Sequence, residues 1–213
     1  MQAHQPVKGL SFWGALALQW WDTWLASEAM MWISPNKNRP RVHGYTDASG
    51  ADRWLAAYIK DEDDIWWWTR LQVPQVIWDL FLERGDNKIG VQELLAVAML
   101  FEIFGDLLEG KALFSWVDNY GVVGAITNGG TRTVDVNAVS GRLWLVLAKM
   151  DVPVAFYYVN TKANVADGAT RDDTSLAEKY AAHWREPRLP AVSYTHLRAH
   201  ETSLHLVCRL LLE

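Results

Sequence analysis

The stretch Arg41-Val-His-Gly-Tyr-Thr-Asp47 decides the fold, because it reads as a short strand that runs directly into a turn at Ala48-Ser-Gly50. Two further strand patterns follow at short spacing, over residues 54–59 and 65–70. The acidic run Asp61-Glu-Asp-Asp64 lies between them and has the composition of a solvated hairpin loop. Three strands this close together predict an antiparallel meander.

Helices and strands alternate after the meander. Apolar residues recur at helical spacing from Gly90 to Glu109, with Gly110 as the predicted C-cap, and a buried strand over 112–117 ends at Asp118-Asn119. A short helix through Ile126, a long helix over 136–150, a fifth strand over 152–159 and a terminal helix over 169–184 follow. This order predicts an α/β fold, in which a mixed sheet carries helices on its faces.

Composition narrows the classes of function. The chain has 213 residues, of which 50% are hydrophobic and 21% charged, so it is long enough for a folded domain with an appendage and is not a disordered tail. Its formal charge of -5 argues against a domain that binds nucleic acid through bulk positive charge. The single cysteine excludes a disulfide framework and a four-thiolate zinc site.

The N-terminal segment, residues 1–40, is predicted to be a helical, Trp-rich lead-in. Its apolar stretch over 10–33 is interrupted by Gln19, Asp22 and Glu28, whereas a membrane span needs about 20 nearly unbroken apolar residues. We therefore expect an amphipathic helix that docks on a protein surface, and no membrane association. The first residues also lack the order of a secretory signal, so we expect an intracellular protein, cytoplasmic or nuclear.

The C-terminal tail, residues 187–213, departs in composition from the rest of the chain. From about residue 192 onward it resembles the in-frame read-through of a sequencing adapter, so we predict that this part is an artefact of assembly. His196, His200 and His205 are spaced like metal ligands on a helix, but they fall within this part, as does Cys208. We therefore predict no metal site there.

Four acidic residues fall where the predicted elements begin or end. Asp47 closes the first strand, Asp118 closes the fourth, Glu93 lies in the first turn of the long helix, and Asp167 follows the fifth strand. Acids at the carboxyl ends of adjacent strands converge in the crevice where such sheets bind ligands. Crowded carboxylates repel one another, and hard divalent cations such as Mg²⁺ relieve that repulsion. Two such ions about 4 Å apart can clamp the attacking and leaving oxygens of a phosphodiester.

Four sequence blocks carry a resemblance to a known family. They are Tyr45-Thr-Asp-Ala-Ser49, Gln92-Glu-Leu-Leu-Ala-Val97, Val117-Asp-Asn-Tyr-Gly-Val-Val-Gly-Ala-Ile126 and Asn164-Val-Ala-Asp-Gly-Ala-Thr-Arg171. In this order they resemble the ribonuclease H domain of retroelement reverse transcriptases, and residues 20–25 are similar to the connection that precedes that domain. The resemblance covers roughly residues 12–185. It implies a ribonuclease H-like domain over 41–186, with a five-stranded mixed sheet of three antiparallel and then two parallel strands.

The same resemblance implies an activity, a cofactor and partners. The activity is hydrolysis of the RNA strand of RNA–DNA hybrids, with an upstream reverse transcriptase domain of the same polyprotein as partner. Two Mg²⁺ ions, or Mn²⁺ in their place, would be bridged by Asp47, with Glu93 and Asp118 on one ion and Asp167 on the other. The implied substrate-binding residues are Ser49, Asn119, Asn164 and Arg171.

Two features depart from the family pattern, and two alternatives stay open. Phe156-Tyr-Tyr-Val159 occupies the region in which many relatives have a histidine, and Thr170-Arg171 replaces the usual Ser-Arg. One alternative is a catalytically inactive binding or structural remnant of a retroelement polyprotein, against which the intact acids argue. The other is a different nuclease of the same fold, such as an integrase or exonuclease, which the third and fourth blocks disfavour.

Overall fold

The computed structural model describes residues 38–79, 81, 83, 85, 88–150 and 152–189, together with Leu18, Trp21 and Asp22. Six strands are present in these ranges: β1 (Arg41–Ala48), β2 (Trp54–Lys60), β3 (Trp66–Gln72), β4 (Ala112–Val117), β5 (Val154–Tyr158) and β6 (His183–Trp184). The α-helices there are α1 (Gln75–Trp78), α2 (Ile89–Leu108), α3 (Tyr120–Thr127), α4 (Val134–Lys149), α5 (Asp167–Thr170) and α6 (Ser175–Lys179). A single 3-10 turn, Thr161–Ala163, follows β5.

All six strands form one sheet in the order β5-β4-β1-β2-β3-β6. Strands β1, β2 and β3 pair antiparallel, as the meander pattern predicts, and β4 and β5 run parallel to β1. The predicted α/β fold, with a mixed sheet of three antiparallel strands followed by two parallel ones, is therefore confirmed. The sheet has one strand more than predicted, because the two residues of β6 pair parallel with β3.

The terminal helix predicted over 169–184 is wrong. The structure has α5, α6 and β6 in its place, and the backbone turns into left-handed conformation at Asp172 (φ 66°) and Ala181 (φ 47°). The Asp173 carboxylate accepts a hydrogen bond from the Ser175 N–H at 2.9 Å, an alternative to helical bonding that short acidic side chains offer the backbone. The chain then joins the sheet, where the Arg185 N–H donates to the Trp68 carbonyl.

Strand β2 shows how both faces of the sheet are covered. Leu55 and Ile59 belong to the main core, which α2 and α4 complete, whereas Ala56 and Tyr58 belong to a second cluster with alanines of the α5–α6 region. Successive side chains of a strand point to opposite faces, so this alternation places helices on both sides of the sheet. The predicted placement of helices on both faces of the sheet is confirmed.

Helix α2 is the central element of the main core. Fourteen of its 20 residues are buried, which is the pattern of a helix surrounded by protein. It packs on β1 where Gly44 lies, since a Cβ at that position would come within 2.8 Å of Leu100 Cδ1. The helix ends at Leu108 with Glu109 as its C-cap. The predicted cap, Gly110, lies one residue further on, where its φ of 73° is the left-handed conformation common after a helix.

The acidic run after β2 forms the hairpin loop predicted for it. The Asp61 carboxylate accepts hydrogen bonds from the backbone N–H groups of Asp63 and Ile65 and from the Trp67 indole, so it organises the turn. Lys60 pairs with Asp64 across the same loop at 2.6 Å. The carboxylates of Asp61 and Asp64 therefore stabilise the β2–β3 connection.

Most of the predicted lead-in and most of the predicted tail lie outside the described residues. Of the lead-in, Leu18, Trp21 and Asp22 are described as helical. The suspected adapter-derived part, from about residue 192 onward, is not described. Among the described residues, no helix combines the length and the hydropathy needed to span a membrane.

The close approach of α2 to β1 generates a prediction about stability. Gly44→Val should destabilise the protein by about 1–3 kcal/mol, because the new side chain would overlap the buried Leu100 and Leu113 side chains. Gly124→Ala in α3 is the control, since the added methyl group meets nothing closer than 4.0 Å there. Urea unfolding measures both variants. An unfolding free energy of Gly44→Val equal to that of the wild type would contradict this packing.

Candidate metal centre

Three acidic side chains converge at the carboxyl ends of β1 and β4. Asp47 lies near the end of β1, and Asp118 directly follows β4, which is parallel to β1 with Thr46 opposite Val117. Helix α2 packs over the two strands and brings in Glu93. Carboxylate oxygens of Asp47, Glu93 and Asp118 lie within 4.8 Å of one another. The structure thus brings together three of the four predicted acids.

The burial of this triad is costly without a positive partner. Asp47 and Glu93 are each only 4% exposed, and Asp118 is half-buried. Glu93 Oε2 and Asp118 Oδ1 are buried and accept no hydrogen bond from any described residue. Buried oxygens with negative charge and no donor are what a hard divalent cation binds in proteins. The residues present therefore fit a divalent metal ion.

Two hydrogen bonds orient the triad. The Thr170 hydroxyl donates to Asp47 Oδ2, and the backbone N–H of Ala48 donates to the Glu93 carboxylate. Thr170 was not among the predicted site residues, although it lies in the fourth sequence block. The sequence does contain a signal for Thr170, because this residue stands where the ribonuclease H domains that the chain resembles have the serine of their Ser-Arg pair.

Burial and mutual repulsion shift the titration of two of the acids. Burial raises the pKa of Asp47 from its ordinary value of 3.8 to about 7, the charges of Asp118 and Asp167 add to the rise, and the Thr170 hydrogen bond opposes it. Burial also raises the pKa of Glu93 well above its ordinary value, and the charges of Asp47 and Asp118 contribute. Both shifts have burial as their main cause and neighbouring negative charge as a further one, and a bound cation would favour the ionised carboxylates against both.

The fourth predicted acid, Asp167, lies outside the group of three. It is the first residue of α5, and its Oδ1 accepts hydrogen bonds from Arg171 Nε at 3.1 Å and Nη2 at 2.8 Å. Its charge still contributes to the raised pKa of Asp47, so it belongs to the same electrostatic environment. Asp167 and Arg171 are both predicted site residues, and in this structure they form an ion pair with each other.

Two predicted substrate-binding residues make bonds within the protein. Ser49 belongs to the β1–β2 turn, where its carbonyl accepts from the Arg53 N–H at 3.0 Å. Asn164 is 5% exposed, and its amide Nδ2 donates to the Thr46 carbonyl at 2.9 Å while its Oδ1 accepts from Ala166 N–H. Asn164 thus fastens the loop after β5 to the backbone immediately before Asp47.

Asn119, the remaining predicted residue, caps α3 and faces a cleft. Its Oδ1 accepts from the N–H groups of Gly121 at 2.9 Å and Val122 at 3.3 Å, which satisfies two donors at the helix start. The cleft, of about 260 Å³, lies between the first turns of α2, α3 and α4. Gly90 and Thr131 are among its lining residues, and Gly90 lies one turn before Glu93 on α2. A mostly apolar cleft, to which Asn119, Thr131 and Thr133 contribute polar side chains, therefore lies close to the triad.

The solved structures that resemble this chain include two ribonuclease H proteins. One is RNase H1 from the halophilic archaeon Halobacterium salinarum, at 18% identity and a TM-score of 0.44, over 62% of this chain and 98% of that one. The other is an N-terminal RNase H domain from Mycobacterium tuberculosis, at 12% identity and a TM-score of 0.41, over 67% of this chain and 99% of that one. No protein-family model and no curated protein sequence matches the chain. With similarity this low, the chemistry has to be inferred from the chain's own residues.

The raised pKa values predict how the metal-free protein responds to pH. Because the pKa of Asp47 and that of Glu93 are both raised in the folded state, their stabilising contribution is fully present below the ordinary carboxyl pKa and is lost as pH rises, for Asp47 through about 7. The thermal midpoint in EDTA should therefore decrease as the pH is raised from about 5 to about 8. Asp47→Asn should make the thermal midpoint less dependent on pH. If the wild type and the variant showed the same dependence on pH, the raised pKa of Asp47 would be contradicted.

The Thr170 hydrogen bond predicts a loss of metal affinity on its removal. Thr170→Val should weaken Mn²⁺ binding roughly 10-fold, because it leaves Asp47 without the donor that orients its carboxylate. Thr170→Ser keeps a hydroxyl and serves as the control. Isothermal titration calorimetry measures the affinity of all three proteins. If the valine variant bound Mn²⁺ as tightly as the wild type, Thr170 would have no role in orienting the ligand.

Proposed function

We propose that this chain is a divalent-metal-dependent nuclease that hydrolyses the RNA strand of RNA–DNA hybrids. The convergence of Asp47, Glu93 and Asp118 at the carboxyl ends of parallel strands carries the proposal. Three carboxylates repel a phosphodiester, so a function that acts on nucleic acid at this place requires cations first. We choose an RNA–DNA hybrid as the substrate because the four sequence blocks resemble retroelement ribonuclease H domains.

Asp47, Glu93 and Asp118 would hold one Mg²⁺ ion, and Asp47 with Asp167 would hold a second, with Mn²⁺ as a substitute. Asp167 would have to exchange its Arg171 partner for the ion, which is feasible because the Arg171 side chain is 68% exposed. When bound, the ions supply charge stabilisation for the phosphoryl group and lower the pKa of coordinated water.

The chain's own residues position the acids and the substrate. Thr170 and the Ala48 N–H orient two of the carboxylates, and Asn164 holds the loop that carries Asp167 against β1. Burial of Asp47 and Glu93 keeps competing water away from their oxygens. Asn119 and the adjoining cleft offer hydrogen-bonding groups for a ribose 2′-hydroxyl, the group that distinguishes RNA from DNA.

The proposed setting is reverse transcription of a retroelement inside the cell, in the cytoplasm or the nucleus. An upstream reverse transcriptase domain is the proposed partner, and it would supply the hybrid as its product. A formal charge of -5 gives this chain little long-range attraction for a duplex, so a polymerase that already holds the hybrid would provide most of the affinity.

Cleavage of a labelled hybrid tests the proposal. The chain should cut the RNA strand in the presence of Mg²⁺, leaving 3′-hydroxyl and 5′-phosphate ends, and Asp118→Asn should lower the rate by roughly 10²-fold or more. Asp63→Asn is the matched control, because Asp63 is an exposed acid in the β2–β3 loop and should leave the rate unchanged.

Other results would select the alternatives. Equal rates for the wild type and Asp118→Asn would remove the triad from the reaction. Cleavage of double-stranded DNA in preference to the hybrid would indicate another nuclease of this fold. Hybrid binding without any cleavage by the wild type would indicate an inactive remnant.

A further inference from the structure

A stacked pair of tyrosines lies beside the metal centre. Tyr120 is the first residue of α3 and Tyr158 the last of β5, and their ring centroids are 3.6 Å apart with 11° between the ring planes. Tyr120 comes two residues after Asp118, and Tyr158 pairs across the sheet with Val117, the residue before Asp118. The pair therefore lies at the same edge of the sheet as the acidic triad.

The exposure of Tyr120 has no explanation in core packing. Its side chain is 70% exposed, more than any other large hydrophobic side chain in the described part of the chain. A ring that stabilises a fold does so by removing its surface from water. Tyr120 leaves most of that surface in solvent, next to the place where a phosphodiester would be cut.

The ring of Tyr120 is nevertheless held in place. Asn119 caps the helix at its start, which fixes the backbone of Tyr120 relative to Asp118, and Tyr158 supports one side of the ring. A rigid aromatic side chain loses little conformational freedom when a ligand packs against it. Exposure together with rigidity is a property of aromatic residues that bind ligands.

We propose that Tyr120, supported by Tyr158, is a substrate-positioning residue whose ring packs against a sugar ring of the hybrid next to the cleaved phosphate. In a paired hybrid the bases cover one another's faces, so the sugar rings are the apolar surface that stays open to an aromatic side chain in the groove. A neutral ring also gives the substrate a contact that the negative charge of the triad does not oppose. This inference rests on the proposed nuclease function and names a contact of that same site.

Hybrid affinity tests the contact directly. In an Asp118→Asn background, which keeps the substrate intact, Tyr120→Ala should raise the Kd for an RNA–DNA hybrid roughly tenfold in fluorescence anisotropy. Tyr120→Phe, which retains the ring, should restore the Kd. Trp184→Ala is the matched control, because Trp184 is also an exposed aromatic residue but lies in β6, at the opposite edge of the sheet from β5, and should leave the Kd unchanged.

Steady-state kinetics separates positioning from structure. In the active chain, Tyr120→Ala should raise KM roughly tenfold with kcat little changed, and the thermal midpoint should stay at the wild-type value. Tyr158→Ala should also raise KM. The increase in KM of the double variant should be smaller than the product of the two single increases, because both rings form one stacked pair.

A hybrid with one abasic nucleotide beside the cleavage site distinguishes a base contact from a sugar contact. An abasic nucleotide keeps its sugar, so Tyr120→Ala should weaken binding of this substrate as much as it weakens binding of the intact hybrid. If Tyr120→Ala had no further effect on the abasic hybrid, the sugar contact would be contradicted. Unchanged Kd and KM in Tyr120→Ala, with a wild type that cleaves the hybrid, would overturn this inference and leave the proposed function intact. A wild type that neither binds nor cleaves the hybrid would overturn the proposed function itself.

Discussion

Two carboxyl groups, those of Asp47 and Glu93, are buried beside each other at the edge of the sheet, and a third, that of Asp118, lies within reach of both. An uncompensated buried carboxylate is among the most unfavourable arrangements that a protein interior can contain. The protein tolerates it here through protonation, through the Thr170 and Ala48 donors and, we propose, through a cation. The surrounding helices and strands hold these three carboxyl groups together despite the free-energy cost of their burial.

The support comes from both faces of the sheet. On one face, α2 is buried along most of its length and carries Glu93, so the position of that carboxylate follows from the packing of a long apolar helix. On the other face, the short helix α5 brings Thr170 to Asp47. The parallel pairing of β4 with β1 places Asp118 beside Asp47. The site therefore depends on contacts between segments that are far apart in the sequence.

The acids of the triad could be predicted because their positions follow from local patterns. A strand that ends in Asp47, a strand that ends in Asp118 and a helix whose first turns contain Glu93 are each visible in the sequence, and parallel pairing brings strand ends together. The prediction of a mixed sheet with helices on both faces follows from the same alternation of patterns, which is why most elements of the meander and the central helix agree with the structure.

The C-terminal part was less predictable because long-range contacts decide it. The apolar residues of 169–184 suggest one helix, but the left-handed turns at Asp172 and Ala181 and the edge of β3 divide the segment. The pairing of Asp167 with Arg171 and the bond from Thr170 to Asp47 likewise depend on side-chain geometry that the sequence does not reveal. Sequence patterns locate elements, whereas the partners of polar side chains are set by packing.

The most direct test of the central claim is a crystal structure of the protein soaked in Mn²⁺, with the ion located by its anomalous scattering. We expect an anomalous peak among the carboxylate oxygens of Asp47, Glu93 and Asp118, and its loss in Asp47→Asn. An ordered triad without a peak, or Mn²⁺ bound instead at the acidic loop after β2, would contradict it.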